Sequence, residues 1–201
     1  SFPTRRSSDL AIGLTAIGND LFDGCSSLTA IVIPESVKTI GDNAFRNCTS
    51  LASITLAENL TNVSLSAFKG SGLQTITINM PEVQTWFTGL TQVKQVVLGE
   101  EVTSIADGAF KGCTSLESIN MPEDLKTVGE NAFYGCSSLA SIVLPAGTTI
   151  ALTAFKGCSG LQSITINQAE VLNWFAGLTN VKQVTLGDEV TSIVDAAFKD
   201  S

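Results

Sequence analysis

Apolar residues recur along this chain in three beats per unit, and the period changes within each unit. The stretch Leu116 to Cys136, LESINMPEDLKTVGENAFYGC, is the cleanest copy. Ile119 and Met121 alternate with polar neighbours, as in a strand that buries one face. Pro122 lacks a backbone donor and is expected to end that ladder. Leu125 and Val128 mark a second inward-facing arc, and Gly129 is expected to permit a tight bend. Residues 131–135 predict a single helical or 3-10 turn closed by Gly135. A strand, an arc and a turn cannot bury their apolar faces alone, but stacked copies can.

The strand beat appears eight times, centred on Ile31, Ile54, Ile76, Val96, Ile119, Ile142, Ile164 and Val184. Successive intervals are 23, 22, 20 and 23 residues, and then 23, 22, 20 repeats. A larger unit of 88 residues is therefore duplicated: Gln74 to Lys111 recurs as Gln162 to Lys199. Nine phenylalanines, from Phe22 to Phe198, hold one beat and predict an interior spine. Two coils are shorter. Residues 81–89 and 169–177 replace the arc and turn, and the spacing of Val83, Phe87 and Leu90 predicts a short helix in the first. Trp86 and Trp174 sit beside the spine, where packing across a short coil is the favoured role over an aromatic anchor for a partner.

The pattern L-x-x-I-x-[IL]-P-x-x-[VL]-x-x-[IV]-G-x-x-A-F-x-x-C resembles the BspA-type leucine-rich repeat. Leu116 to Cys136 fits it throughout, as does Leu28 to Cys48, and the resemblance extends from Ile12 to Phe198. The short coils depart from it. The resemblance implies a β-rich α/β solenoid: a right-handed stack with a parallel sheet on the concave side and short helical or 3-10 turns opposite. It also implies a secreted or cell-surface setting and a role in adhesion and protein binding. Eight strands would make a sheet about 34 Å long.

Residues 1–10, SFPTRRSSDL, fit no repeat. They resemble a translated sequencing adapter and are expected to be a non-native, disordered tail. Residues 11–201 are expected to form one solenoid, truncated at both ends, within a longer protein. Charged residues make up 15% and the net charge is −8, which argues against nucleic-acid partners and anionic membrane surfaces. No apolar run is long enough for membrane insertion of this segment.

Chemistry-bearing residues are sparse. There is no histidine, which leaves no Cys–His dyad and no usual nucleophilic triad. The sequence suggests neither catalysis nor a cofactor. Cys25, Cys48, Cys113, Cys136 and Cys158 each stand three residues after a spine Phe and read as core thiols. Glu35, Glu58, Glu100–Glu101, Glu123–Asp124 and Asp188–Glu189 follow strands and predict an acidic edge. That edge is either a solvated rim or a weak Ca²⁺ site.

The remaining candidate is the outward side of the strand ladder, a surface for a protein ligand. Its residues are Thr55, Thr75, Thr77, Gln95, Val97, Ser118, Asn120, Val143, Thr165, Gln183 and Thr185. Small hydroxyl residues dominate, so binding through this face is expected to be weak per module and strengthened by avidity. The expected function is a non-catalytic binding or adhesion module. The alternative is a structural spacer that presents another domain.

Overall fold

The computed structural model describes residues 13–201. The suspected adapter, residues 1–10, lies outside the described residues. Strands come in two kinds, both parallel to their partners. In chain order they are β1 (Ala16–Ile17), β2 (Thr39–Ile40), β3 (Ser53–Leu56), β4 (Asn62–Val63), β5 (Thr75–Ile78), β6 (Glu82–Val83), β7 (Gln95–Leu98) and β8 (Ser104–Ile105). There follow β9 (Ser118–Ile119), β10 (Thr127–Val128), β11 (Ser141–Leu144), β12 (Thr149–Ile150), β13 (Ser163–Ile166), β14 (Glu170–Val171), β15 (Gln183–Leu186) and β16 (Ser192–Ile193). The molecule is a parallel-strand β-solenoid.

The strand beat builds one column, split into β3-β5-β7-β9 and β11-β13-β15. It holds seven strands among the described residues, because the segment around Ile31 forms no ladder. The predicted arc is a second column of two-residue strands: β1-β2-β4, β6-β8-β10-β12 and β14-β16. Inward residues alternate with outward ones, so β3 reads exposed, buried, exposed, buried.

The third beat is not helical, which removes the α component expected of the fold. Alternate backbone donors serve different coils. In one turn Ala132, Tyr134 and Cys136 donate within the turn, to Gly129, Asn131 and Phe133. The intervening donors, Phe133 and Gly135, reach the next coil at Ala154 and Lys156. A helix would need all of them for itself. Left-handed residues at Asn131 (φ 54°) and Gly135 (φ 74°) aim the alternate amides outward along the stack. The helix expected in the first short coil is a single 3-10 turn, Thr85–Phe87.

Gly129 is required for a reason other than a left-handed bend, since its φ is not positive. A Cβ there would stand 2.6 Å from the backbone nitrogen of Asp107 in the preceding coil. The Asp107 carboxylate accepts the Glu130 amide at 2.7 Å. Close approach of the preceding coil thus excludes a side chain at Gly129.

The core is one continuous column. From Phe22 to Phe198 each ring stacks on the next, with centroids 5.3–6.1 Å apart. The seven rings from Phe45 to Phe175 are fully buried. Stacking at the coil-to-coil spacing brings each ring between the two ends into contact with two others, so every coil contributes to its neighbours' burial.

Candidate binding surface

Register places the outward residues in straight files. Ser53, Thr75, Gln95 and Ser118 lie side by side, as do Thr55, Thr77 and Val97. A second patch aligns Ser141, Ser163 and Gln183, and beside it Val143, Thr165 and Thr185. Val97 and Val143 are exposed, while Thr75, Thr77 and Thr165 are half-buried between their neighbours. The face is thus two patches, and the single continuous sheet expected from eight strand beats does not form.

Asn120, in the last coil before the break, is exposed but has its carboxamide engaged by the preceding coil. After most strands the next residue donates back to the preceding coil: Asn79 to Leu56, Gly99 to Ile78, Asn167 to Leu144 and Gly187 to Ile166. After Met121 that residue is Pro122, which has no N–H. The side chain of Asn120 fills in. Its Nδ2 donates to the Leu98 carbonyl at 2.8 Å and its Oδ1 accepts the Leu98 amide at 2.7 Å. The carboxamide replaces a length of strand, and β9 ends at Ile119.

The tryptophans do the equivalent in the second column. That column is interrupted after β4 and after β12, at the two short coils. Trp86 Nε1 donates to the Val63 carbonyl at 2.9 Å, and Trp174 Nε1 to the Ile150 carbonyl at 3.1 Å. Each indole is about 95% buried and meets its neighbouring spine Phe edge-on. Both indoles complete the stack, and the edge of Trp86 also lines a cleft.

The cysteines are free, and four of the five are buried. Each of those four donates its thiol to the carbonyl of the preceding coil's spine Phe: Cys48 to Phe22, Cys113 to Phe87, Cys136 to Phe110 and Cys158 to Phe133. Burial pushes the Cys48 thiol up to about 11 and those of Cys113 and Cys158 up to about 12. Cys136 moves the same way for the same reason. Thiols held protonated in this manner are poor nucleophiles. Ser71 takes the cysteine's place in one coil, and its hydroxyl is the one buried side-chain polar atom without a hydrogen-bond partner among the described residues.

Part of the acidic edge converges. Glu35, Glu58, Glu100 and Glu101 line one cleft together with Lys38 and Asn59. Glu123–Asp124 and Asp188–Glu189 do not line it, and Asp124 pairs instead with Lys126 at 3.5 Å. Among the described residues no three acidic or thiol groups meet closely enough to hold a metal ion. A larger cleft lies beside the first short coil, lined by Asn47, Leu65, Gln74, Trp86 and Gln92 among others. None of the outward strand residues named from the sequence lines it. Its trace in the sequence is a one-residue difference between the two halves of the duplication, at Ser71.

Comparison with known proteins agrees with this architecture. A crystal structure of a leucine-rich repeat protein from Eubacterium ventriosum is 29% identical, with a TM-score of 0.59, over 65% of this chain and 37% of that one. A leucine-rich cell surface protein from Faecalibacterium prausnitzii is 24% identical, with a TM-score of 0.54, over 87% of this chain and 58% of that one. The T. pallidum leucine-rich repeat protein is 24% identical, with a TM-score of 0.58, over 89% of this chain and 77% of that one. Likeness at the latter two identities concerns the fold alone. The chain thus spans little more than a third to three quarters of these proteins. No curated protein sequence matches it significantly. The model of the BspA type leucine-rich repeat region matches residues 15–86 and 83–201, nearly the whole described stack, and the chain belongs to the BspA-type leucine-rich repeat family.

Proposed function

We propose that this chain is a non-catalytic protein-binding module of a secreted or cell-surface protein, and that it binds through the outward face of the first column. The observation that carries this reading is the register. Thr55, Thr77 and Val97, beside Thr75, Gln95 and Ser118, form a regular, mostly polar surface on a rigid backbone. A site on paired strands is held more firmly than one on loops. The patch with Val143, Thr165, Gln183 and Thr185 would add a second foothold, and avidity would compensate for the absence of large aromatic anchors. That arrangement supports a role in adhesion through repeated weak contacts.

No helix among the described residues is long and apolar enough to cross a membrane. Membership of the repeat family supports a binding scaffold. The surface setting draws support from the name of the F. prausnitzii neighbour.

The test is surface plasmon resonance of the chain against immobilised fibronectin, collagen and mucin. Saturable binding that is lost in Thr77→Lys/Gln95→Lys, with unchanged thermal stability, supports the proposal. Absence of binding to all three proteins at high concentration favours a spacer role.

A further inference from the structure

The first half of the duplication carries a cleft of about 780 Å3 between the turn after Phe68 and the short coil bearing Trp86. That volume falls within the ~300–1,000 Å3 usual for small-molecule sites. Its origin can be read in the chain. The turn Lys69-Gly-Ser-Gly-Leu73 is one residue shorter than its counterpart, Lys156-Gly-Cys-Ser-Gly-Leu161. The short coil also leaves Leu65 of the preceding coil 60% exposed beside the nearly buried Trp86.

The two halves differ in what their side chains do. In the second half Asn180 Nδ2 donates to the Ser159 carbonyl at 2.7 Å, and Lys182 Nζ donates to Gln162 Oε1 at 3.1 Å. The equivalent residues here are Gln92, Lys94 and Gln74. Gln74 and Gln92 are exposed and make no such bond among the described residues. Ser71, buried and without a partner for its hydroxyl, lies in the same wall.

The lining chemistry narrows the ligand. No carboxylate lines the cleft, although the chain carries 19 acidic residues against 11 basic ones, and Lys69 is the one charged residue in its lining. Amides and hydroxyls predominate, and each both donates and accepts. Sugar hydroxyls have the same dual character, and their C–H faces suit an apolar floor such as Leu65 with the edge of Trp86. An extended peptide fits less well, because β5 is already paired on both sides and offers no free edge. We propose that this cleft binds a neutral oligosaccharide segment through Asn47, Thr49, Gln74 and Gln92. The site is separate from the strand face and does not rest on the function proposed for it.

The duplication supplies an internal control, since the chain has two indoles in matching settings. The experiment follows both indole N–H resonances during titration with cellotetraose, maltotetraose, chitotetraose and, separately, a neutral tetrapeptide. The expected result is a saturable shift of the Trp86 resonance with at least one tetrasaccharide, with Trp174 unmoved. In Gln74→Ala/Gln92→Ala the affinity should fall about tenfold or more, as expected for loss of hydrogen bonds to a bound ligand. The Trp174 resonance then reports that the variant remains folded. Failure of all three sugars to move Trp86, equal movement of both indoles, or a response to the tetrapeptide alone would each overturn the proposal.

Discussion

At the residue scale, side chains in this solenoid act mainly on the coil before or after their own. Phe133 stacks on Phe110 and Phe155 at 5.5 and 5.4 Å and is fully buried. Phe133→Ala should cost about 3–5 kcal/mol, by lost burial plus the cavity left behind, read as a lower urea midpoint. Ser71→Cys works in the other direction. A thiol there restores the bond to the preceding coil's Phe carbonyl that four other coils make. The variant should gain about 0.5–1.5 kcal/mol in the same urea experiment. The buried thiols also set an alkaline limit. Unfolded thiols ionise near 9.0, whereas Cys113 and Cys158 keep their protons up to about 12 when folded. The folded state therefore binds more protons above pH 9, and its stability falls as pH rises from about 9 to 12. Thermal melts across that range should show a steeper decline for the wild type than for Cys113→Ser/Cys158→Ser.

At the scale of elements, the alternation of Ile119 with its polar neighbours and the recurrence of Phe read directly as strands and spine, because burial is periodic. The expected helical or 3-10 turn is a turn but no helix, because periodicity places a side chain and leaves the destination of each amide open. Two of the five amides in residues 132–136 go to the neighbouring coil. The same gap between side-chain pattern and backbone bonding hid the role of Asn120. It sits on the outward beat and so reads as a surface residue, yet its carboxamide serves Leu98 because Pro122 cannot. The sequence shows the proline, but its consequence for a residue two positions earlier needs the stack. Asn120→Leu should leave the amide and carbonyl of Leu98 without these partners and cost about 1–3 kcal/mol. Calorimetry of the variant beside Ser118→Ala, which loses no such bond, separates this effect from a general surface change. The cleft at Ser71 was hidden for a related reason, since it arises from one residue missing in a turn and not from any motif.

At the scale of the whole molecule, neighbouring coils cover one another, and stability is a sum of similar interfaces along the column. The outward files and the cleft are consequences of that stack: its register aligns Thr55 with Thr77 and Val97, and a shortened coil opens the wall beside Trp86. Both functional proposals fail if the stack is wrong. The most direct measurement is a crystal structure of this chain at a resolution that places aromatic rings. Eight successive Phe contacts from Phe22 to Phe198, each with centroids between about 5 and 6.5 Å, are the predicted result. Phe45 and Phe133 found in separate packed cores, or turned out into solvent, would contradict it.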